Sequence, residues 1–87
     1  MIPYKYDWGG VEATNYFMED YDMKFLERYV VFKRRKDGSL EEFGHWEGAS
    51  LIIETMPELS EKEKVGLERV CEATTKRIGN DLNGTAL

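Results

Sequence analysis

The sequence contains little that could cross-link or anchor a small domain. Its 87 residues include one cysteine and one histidine, and no apolar run approaches the ~20 residues that cross a membrane. A lone cysteine excludes an intramolecular disulfide, which secreted domains of this size usually need. The first residues also lack the basic and apolar segments of a signal peptide. We therefore expect a single cytoplasmic domain over residues 1–87 that makes no membrane contact.

Sequence motifs of the common catalytic and cofactor-binding classes are missing as well. The chain has no dinucleotide fingerprint, P-loop, zinc-protease helix, C-x-x-C pair or nucleophile elbow. A zinc site would have to recruit carboxylates or a second chain, because His45 and Cys71 are the only soft ligands. We expect His45 to be a sheet-surface residue and Cys71 a small core residue. The chain should therefore be no enzyme and bind neither cofactor nor metal; a small enzyme or ligand binder centred on His45 is one alternative.

The residues that are present predict an α+β fold with a small antiparallel sheet. Residues 2–8 alternate apolar and polar side chains, which predicts a strand that Gly9-Gly10 ends. Residues 11–22 place apolar groups at helical spacing and predict a short helix. Residues 49–56 fit either a third hairpin strand or a helical turn, and their length does not decide between the two.

A hairpin over residues 25–47 is the clearest element, because Asp37-Gly38 is a strong turn signal between two strand-like runs. A two-residue loop there favours cross-strand pairs of opposite charge or of two aromatic rings. Those pairs are Arg34 with Glu41, Lys33 with Glu42, Phe32 with Phe43, Tyr29 with Trp46 and Arg28 with Glu47. A competing three-residue loop, Lys36-Asp37-Gly38, keeps Lys33 opposite Glu41 but sets Phe32 against Glu42.

A long C-terminal helix should follow, over about residues 60–78. Ser60 and Glu63 have the spacing of a capping box, and Gly79-Asn80 should stop the helix. Its apolar stripe, which should pack on one face of the sheet, consists of Leu67, Val70, Cys71, Thr74 and Ile78. The hairpin is predicted to have apolar groups on both faces, with Tyr29, Val31 and Trp46 on one and Val30, Phe32 and Phe43 on the other.

The formal net charge of −5 argues against nonspecific binding to nucleic acid. One basic run, Arg28–Lys36, is interleaved with aromatic residues, and it is the basis of a further alternative, a single-stranded nucleic-acid binder. Its contacts would be Lys33, Arg34, Arg35, Lys36 and Phe32. Because the predicted pairing sets two of these cations against glutamates, we expect the run to be a salt-bridged ribbon instead.

The acidic groups suggest a different class of partner, a protein with a basic surface. Acidic side chains beside exposed tyrosines would supply both electrostatic steering and anchors, in the manner of a nucleic-acid mimic. In size, acidity and lack of motifs the chain is similar to small phage-encoded inhibitors and toxin-neutralising immunity proteins, a similarity of composition only. We expect a non-catalytic protein-binding module that inhibits or regulates its partner, and a homodimer is compatible with the sequence. The partner-binding residues would be Glu12, Glu19, Asp20, Tyr21, Asp22, Glu54, Glu58 and Glu61.

Overall fold

The computed structural model describes residues 3–19 and 25–84 of the chain. They form a five-stranded antiparallel sheet followed by one helix, so the predicted α+β fold is confirmed. The strands lie side by side in sequence order, and each pairs with its neighbours along the chain. Their bounds are Lys5–Trp8 (β1), Val11–Glu19 (β2), Phe25–Arg34 (β3), Leu40–Glu47 (β4) and Ser50–Ile53 (β5), and the helix α1 spans Glu61–Gly84.

Strand β2 replaces the short helix that the sequence predicts over residues 11–22. That prediction was wrong for Val11–Glu19, and residues 20–22 lie outside the described part of the chain. Gly9 and Gly10 both have positive φ, at 65° and 96°, and close a tight turn that pairs Trp8 with Val11. The turn reverses the chain, so β2 pairs antiparallel with β1, and β2 pairs with β3 on its other side. Sheet pairing on both sides therefore overrides a weak helical spacing.

The β3–β4 hairpin combines the two registers that the sequence leaves in competition. Next to the turn Lys33 lies opposite Glu41 and Phe32 opposite Glu42, as the three-residue loop predicts. Past a β-bulge between Val31 and Phe32, Val30 lies opposite His45, the alignment of the two-residue loop. The predicted pairs Arg34 with Glu41, Lys33 with Glu42 and Phe32 with Phe43 were therefore wrong.

The bulge also changes the face on which Phe43 lies. Phe43 is the extra residue of β4, since Val31 pairs with Gly44 and Phe32 with Glu42. Its ring packs in the core beside Val31 instead of on the opposite face with Phe32, where the sequence placed it. Gly44 makes room for this, because a Cβ there would lie 2.9 Å from Val31 Cγ1.

Helix α1 begins as predicted and ends later than predicted. The Glu63 amide donates to Ser60 Oγ at 3.2 Å, and the Ser60 amide donates to Glu63 Oε1 at 2.9 Å, which completes the capping box. The predicted stop at Gly79-Asn80 was wrong, since the helix continues to Gly84. Glycine lowers helix stability by about 1 kcal/mol without breaking the helix.

Alternation along the strands gives the sheet two distinct faces. The face that α1 covers, called the covered face, carries Val11, Ala13, Tyr29, Val31 and Trp46 and forms one core with Val70 and Ile78 of the helix. The opposite face, called the open face, carries Glu12, Thr14, Val30, Phe32 and His45, which alternate with those residues along the same strands. In the described residues no helix is both long and apolar enough to span a membrane.

The N-terminal half of α1 touches the β1–β2 turn with backbone against backbone. A Cβ on Gly66 would lie 2.0 Å from the Trp8 carbonyl oxygen, and one on Gly9 would lie 2.7 Å from the Lys62 carbonyl oxygen. Both positions therefore require glycine, and the contact fixes the helix against the edge of the sheet.

Candidate interaction surface

The open face buries apolar groups although the helix lies on the other side of the sheet. Val30 and Phe32, on the central strand β3, are only 4% and 8% exposed. Their cross-strand neighbours include Glu12, which pairs with Phe32, and His45, which pairs with Val30. The polar residues on the flanking strands therefore lie beside the central apolar pair and are themselves largely buried.

Glu12 is the most deeply placed charge on this face. It is 3% exposed, and its carboxylate lies 3.2 Å from Lys5 Nζ and 3.5 Å from an Arg34 guanidinium nitrogen. Both cations remain half-exposed at their outer ends. Two ion pairs from strands on either side of β2 compensate a carboxylate that water barely reaches.

A second buried group, His45, lies between two carboxylates. Its Nδ1 is 2.6 Å from Glu54 Oε1, and its Nε2 is 3.2 Å from Glu47 Oε1. A neutral imidazole carries one N–H donor, so only the doubly protonated ring can donate to both carboxylates at once. The geometry therefore favours the imidazolium form.

Both carboxylates raise the pKa of His45 above its ordinary value of 6.5. The hydrogen bond to Glu47 is the largest cause and the hydrogen bond to Glu54 the next, while burial and the Arg28 charge act in the opposite direction. The two glutamates lie on opposite nitrogens of the ring, so they do not converge on one point where a metal could sit. Consistent with this, no group of three or more ligating side chains within residues 3–19 and 25–84 is arranged to hold a metal ion.

Exposed acidic groups concentrate on the β4–β5 half of the open face. Glu42 and Glu47 share this side of β4 with His45, and Glu54 follows β5 directly. Ile52 lies opposite His45 and is 38% exposed. We call Glu42, Glu47 and Glu54 together with Ile52 the acidic strip; it combines three exposed carboxylates with one exposed apolar side chain.

The structure places the acidic residues that the sequence singles out at two distant ends of the sheet. Glu19 is the last residue of β2, at the end of the strand away from the β1–β2 turn. It lies six residues after Ala13 and therefore about 20 Å from it along the strand. Glu54, Glu58 and Glu61 lie toward the end that holds the β1–β2 turn, because Lys33 Nζ donates to the Glu58 carbonyl and α1 starts against Gly9. Asp20, Tyr21 and Asp22 lie outside the described residues. Glu12 is buried and paired, so its carboxylate is not free for a partner.

The basic run is largely committed to contacts within the protein. Lys33 Nζ donates to the Glu58 carbonyl at 2.7 Å, Arg34 contacts Glu12, and Arg35 contacts Glu41 at 3.4 Å. Phe32 is too buried to stack on a base. Lys36 is exposed at the turn. These contacts leave a nucleic acid little of the cationic and aromatic surface that the alternative requires.

Glu42 and Glu47 are not among the partner-binding residues that the sequence predicts. The signal was present, since strand alternation puts Glu47 on the same side as His45, but the bulge that aligns Glu42 with this face is not visible in the sequence. Cys71 is half-buried beside the core, and burial raises the pKa of its thiol to about 11, so it is no ready nucleophile.

Comparison with known proteins adds no further guide. No family model matches the chain, and neither the curated proteins nor the solved structures contain a significantly similar one. The proposed function therefore rests on the charges and contacts of the open face.

Proposed function

We propose that this protein is a non-catalytic binding module that docks its acidic strip on a basic surface of a partner protein and thereby inhibits or regulates it. The observation that carries the proposal is that Glu42, Glu47 and Glu54 share the β4–β5 side of the open face with the exposed Ile52. Exposed charges increase the rate of association with an oppositely charged partner. An apolar side chain among them is desolvated on binding and adds a hydrophobic contact.

The charges of the open face support a partner on the β4–β5 side. On the β1–β3 side the carboxylate of Glu12 is compensated by Lys5 and Arg34. On the β4–β5 side, within residues 3–19 and 25–84, Glu47 and Glu54 share one ion-pair partner, the His45 ring. The acidic strip is therefore the part of the open face whose charge is complementary to a basic partner surface.

Charge reversal of the strip provides the test. Glu42→Lys combined with Glu47→Lys leaves Glu54 on His45 and the core unchanged. The matched control is Glu61→Lys combined with Glu68→Lys, which reverses two exposed charges on α1. Proteins captured from an extract by the wild type should be lost with the first variant and kept with the control. Capture should also weaken between 50 and 300 mM salt, because exposed charges are screened beyond about 10 Å at 0.1 M.

A partner that binds both variants equally would contradict the proposal. A fluorescence anisotropy titration with single- and double-stranded DNA and RNA separates this function from the nucleic-acid alternative. We expect no binding at micromolar protein in near-physiological salt, because the chain has no net attraction to phosphates. Submicromolar binding that Arg35→Ala or Lys36→Ala abolishes would replace the protein-binding function with nucleic-acid binding.

A further inference from the structure

A groove separate from the open face runs between the edge strand β1 and one flank of α1. The buried centre of the helix is formed by Val70, Thr74 and Ile78. On one side of this centre Thr75 accepts a hydrogen bond from Trp46 of β4, so the flank with Arg69, Ala73 and Lys76 faces β1. The space on that flank is a cavity of about 240 Å³ lined by Tyr6, Arg69, Glu72, Ala73 and Lys76. We call it the β1–α1 groove.

The two ends of the groove are fixed by side-chain and backbone contacts. At one end the Arg69 guanidinium lies 5.3 Å from the ring centroid of Trp8, next to the contact of Gly66 with the Trp8 carbonyl. At the other end the Arg77 guanidinium lies 4.6 Å from the ring centroid of Tyr4. The cavity in between is smaller than the ~300–1,000 Å³ of drug-sized ligand sites, so it fits a side chain better than a cofactor.

The charge of the groove is opposite in sign to that of the whole chain. Arg69 and Lys76 stand seven residues apart on α1, about 10 Å along its axis, on either side of Ala73. Glu72 is the acidic group of the lining, and it forms no ion pair with either cation in the described residues. In the described part of the chain the lining therefore has two cations without an ion-pair partner, one of which lies over the Trp8 ring, against one carboxylate, in a protein of net charge −5.

The strand beside the groove offers backbone hydrogen bonds. Among residues 3–19 and 25–84, β1 is an edge strand and pairs only with β2. Its two-residue turn makes Trp8 and Val11 a hydrogen-bonded pair, so the alternate residues Lys5 and Asp7 direct their N–H and C=O groups away from β2. An extended segment can pair with those groups and place alternate side chains over the groove.

We infer that the β1–α1 groove binds an extended acidic peptide segment of a partner protein. The segment adds as a sixth strand to the edge of β1 and places a carboxylate between Arg69 and Lys76. Charge complementarity selects the acidic side chain, and the free edge of β1 selects the extended conformation. This site is independent of the acidic strip, which lies on the other face and the other half of the sheet.

The test uses the full chain and a capped heptapeptide of alternating threonine and glutamate, with glutamine in place of glutamate as the comparison peptide. We expect saturable shifts of the β1 amides below about 1 mM peptide, and slower hydrogen exchange at the amides of Lys5 and Asp7. The glutamine peptide should bind more weakly. Binding that leaves the exchange of Lys5 and Asp7 unchanged, or equal binding of both peptides, overturns the inference.

Two variants test the groove itself. Lys76→Ala should lower the affinity for the glutamate peptide about threefold to fivefold. The control Lys64→Ala removes the same charge at an exposed position on α1 and should change the affinity less than about twofold. Ala73→Leu should fill the cavity and block the peptide without changing charge. Its helical circular dichroism and melting temperature show whether the fold is retained. If Lys76→Ala and Lys64→Ala weaken binding equally, the attraction is nonspecific and the site is not the groove.

Discussion

The covered face and the open face come from the same strands but are stabilised in different ways. On the covered face Val11, Val31 and Val70 are completely buried, and polar groups form hydrogen bonds between the sheet and the helix. Tyr4 Oη and Thr74 Oγ1 are 2.9 Å apart, and Trp46 Nε1 donates to Thr75 Oγ1 at the same distance. The helix is thereby held at a defined position on the sheet.

On the open face, charged side chains cover the apolar pair Val30 and Phe32 without a second layer of backbone. Glu12 and His45 each have two charged partners, and all four partners are at least half-exposed. Apolar packing on the covered face should determine the stability of the protein, while the ion pairs of the open face contribute little net stability and leave charge available for binding.

The largest expected effect is on the covered face, from Val70→Asp. The side chain of Val70 is fully buried, and an unpaired carboxylate there would cost more than a small domain can tolerate. We expect the variant not to fold, as judged by circular dichroism and amide dispersion. Val65→Asp is the control, since Val65 lies on the same helix at 41% exposure and should leave folding intact. If both variants fold, the helix does not cover the core as described.

Two buried phenylalanines, one on each face, compare the faces directly. Phe43→Ala should reduce the free energy of unfolding by about 3–5 kcal/mol, because the rigid core leaves a cavity. Phe32→Ala should cost less, about 1–3 kcal/mol, because the charged side chains above it can move and water can enter. Urea unfolding of both variants measures the difference. Equal losses would show that the open face is packed as tightly as the core.

Two glycines of α1 test the contact between the helix and the sheet edge. Gly66→Ala should destabilise the protein by about 1–3 kcal/mol, since the new Cβ would collide with the Trp8 carbonyl oxygen. Gly79→Ala should stabilise it by about 0.5–1 kcal/mol, because no described residue lies within 4 Å of the added methyl and alanine favours helix. Thermal unfolding of the pair checks both signs, and a stabilising Gly66→Ala would contradict the close approach.

The helix start and the hairpin could be predicted from the sequence because their signals are local. Ser60 and Glu63 contact each other across one turn, and Asp37-Gly38 closes its own turn. The pKa of Asp37 is lowered by the hydrogen bonds from Ser39, which belong to the same turn. Such contacts depend on few residues and little on the rest of the fold.

Strand β2, the bulge at Phe43 and the groups around His45 could not be predicted in this way. The side chains of Val11–Phe17 fit a helix or a strand, and the choice depends on partners on both sides. The bulge depends on how Phe43 and Gly44 pack against Val31. Glu54 reaches His45 only because residues 50–53 form a strand, which the sequence left undecided. Each of these features is set by contacts between distant residues.

The smallest expected effect belongs to His45, and it links the open face to pH. Because the folded-state pKa of His45 is raised, its protonated form stabilises the fold below the ordinary pKa, and this contribution is lost as pH rises through the folded-state pKa. The groups around the ring are Glu47, Glu54 and the opposing charge of Arg28.

An NMR titration of the single imidazole therefore should give a pKa above 6.5. Glu54→Gln should lower the pKa, whereas Glu58→Gln, on the connection to α1, should leave it unchanged. The wild type should also lose stability relative to His45→Gln as the pH rises above the ordinary pKa of 6.5. A titration at or below 6.5 would mean that the two carboxylates do not hold the proton, and the ring would then contribute no charge to the acidic strip. If the pKa is raised, protonation offsets one charge of the strip, and a basic partner should bind more weakly at low pH than at high pH.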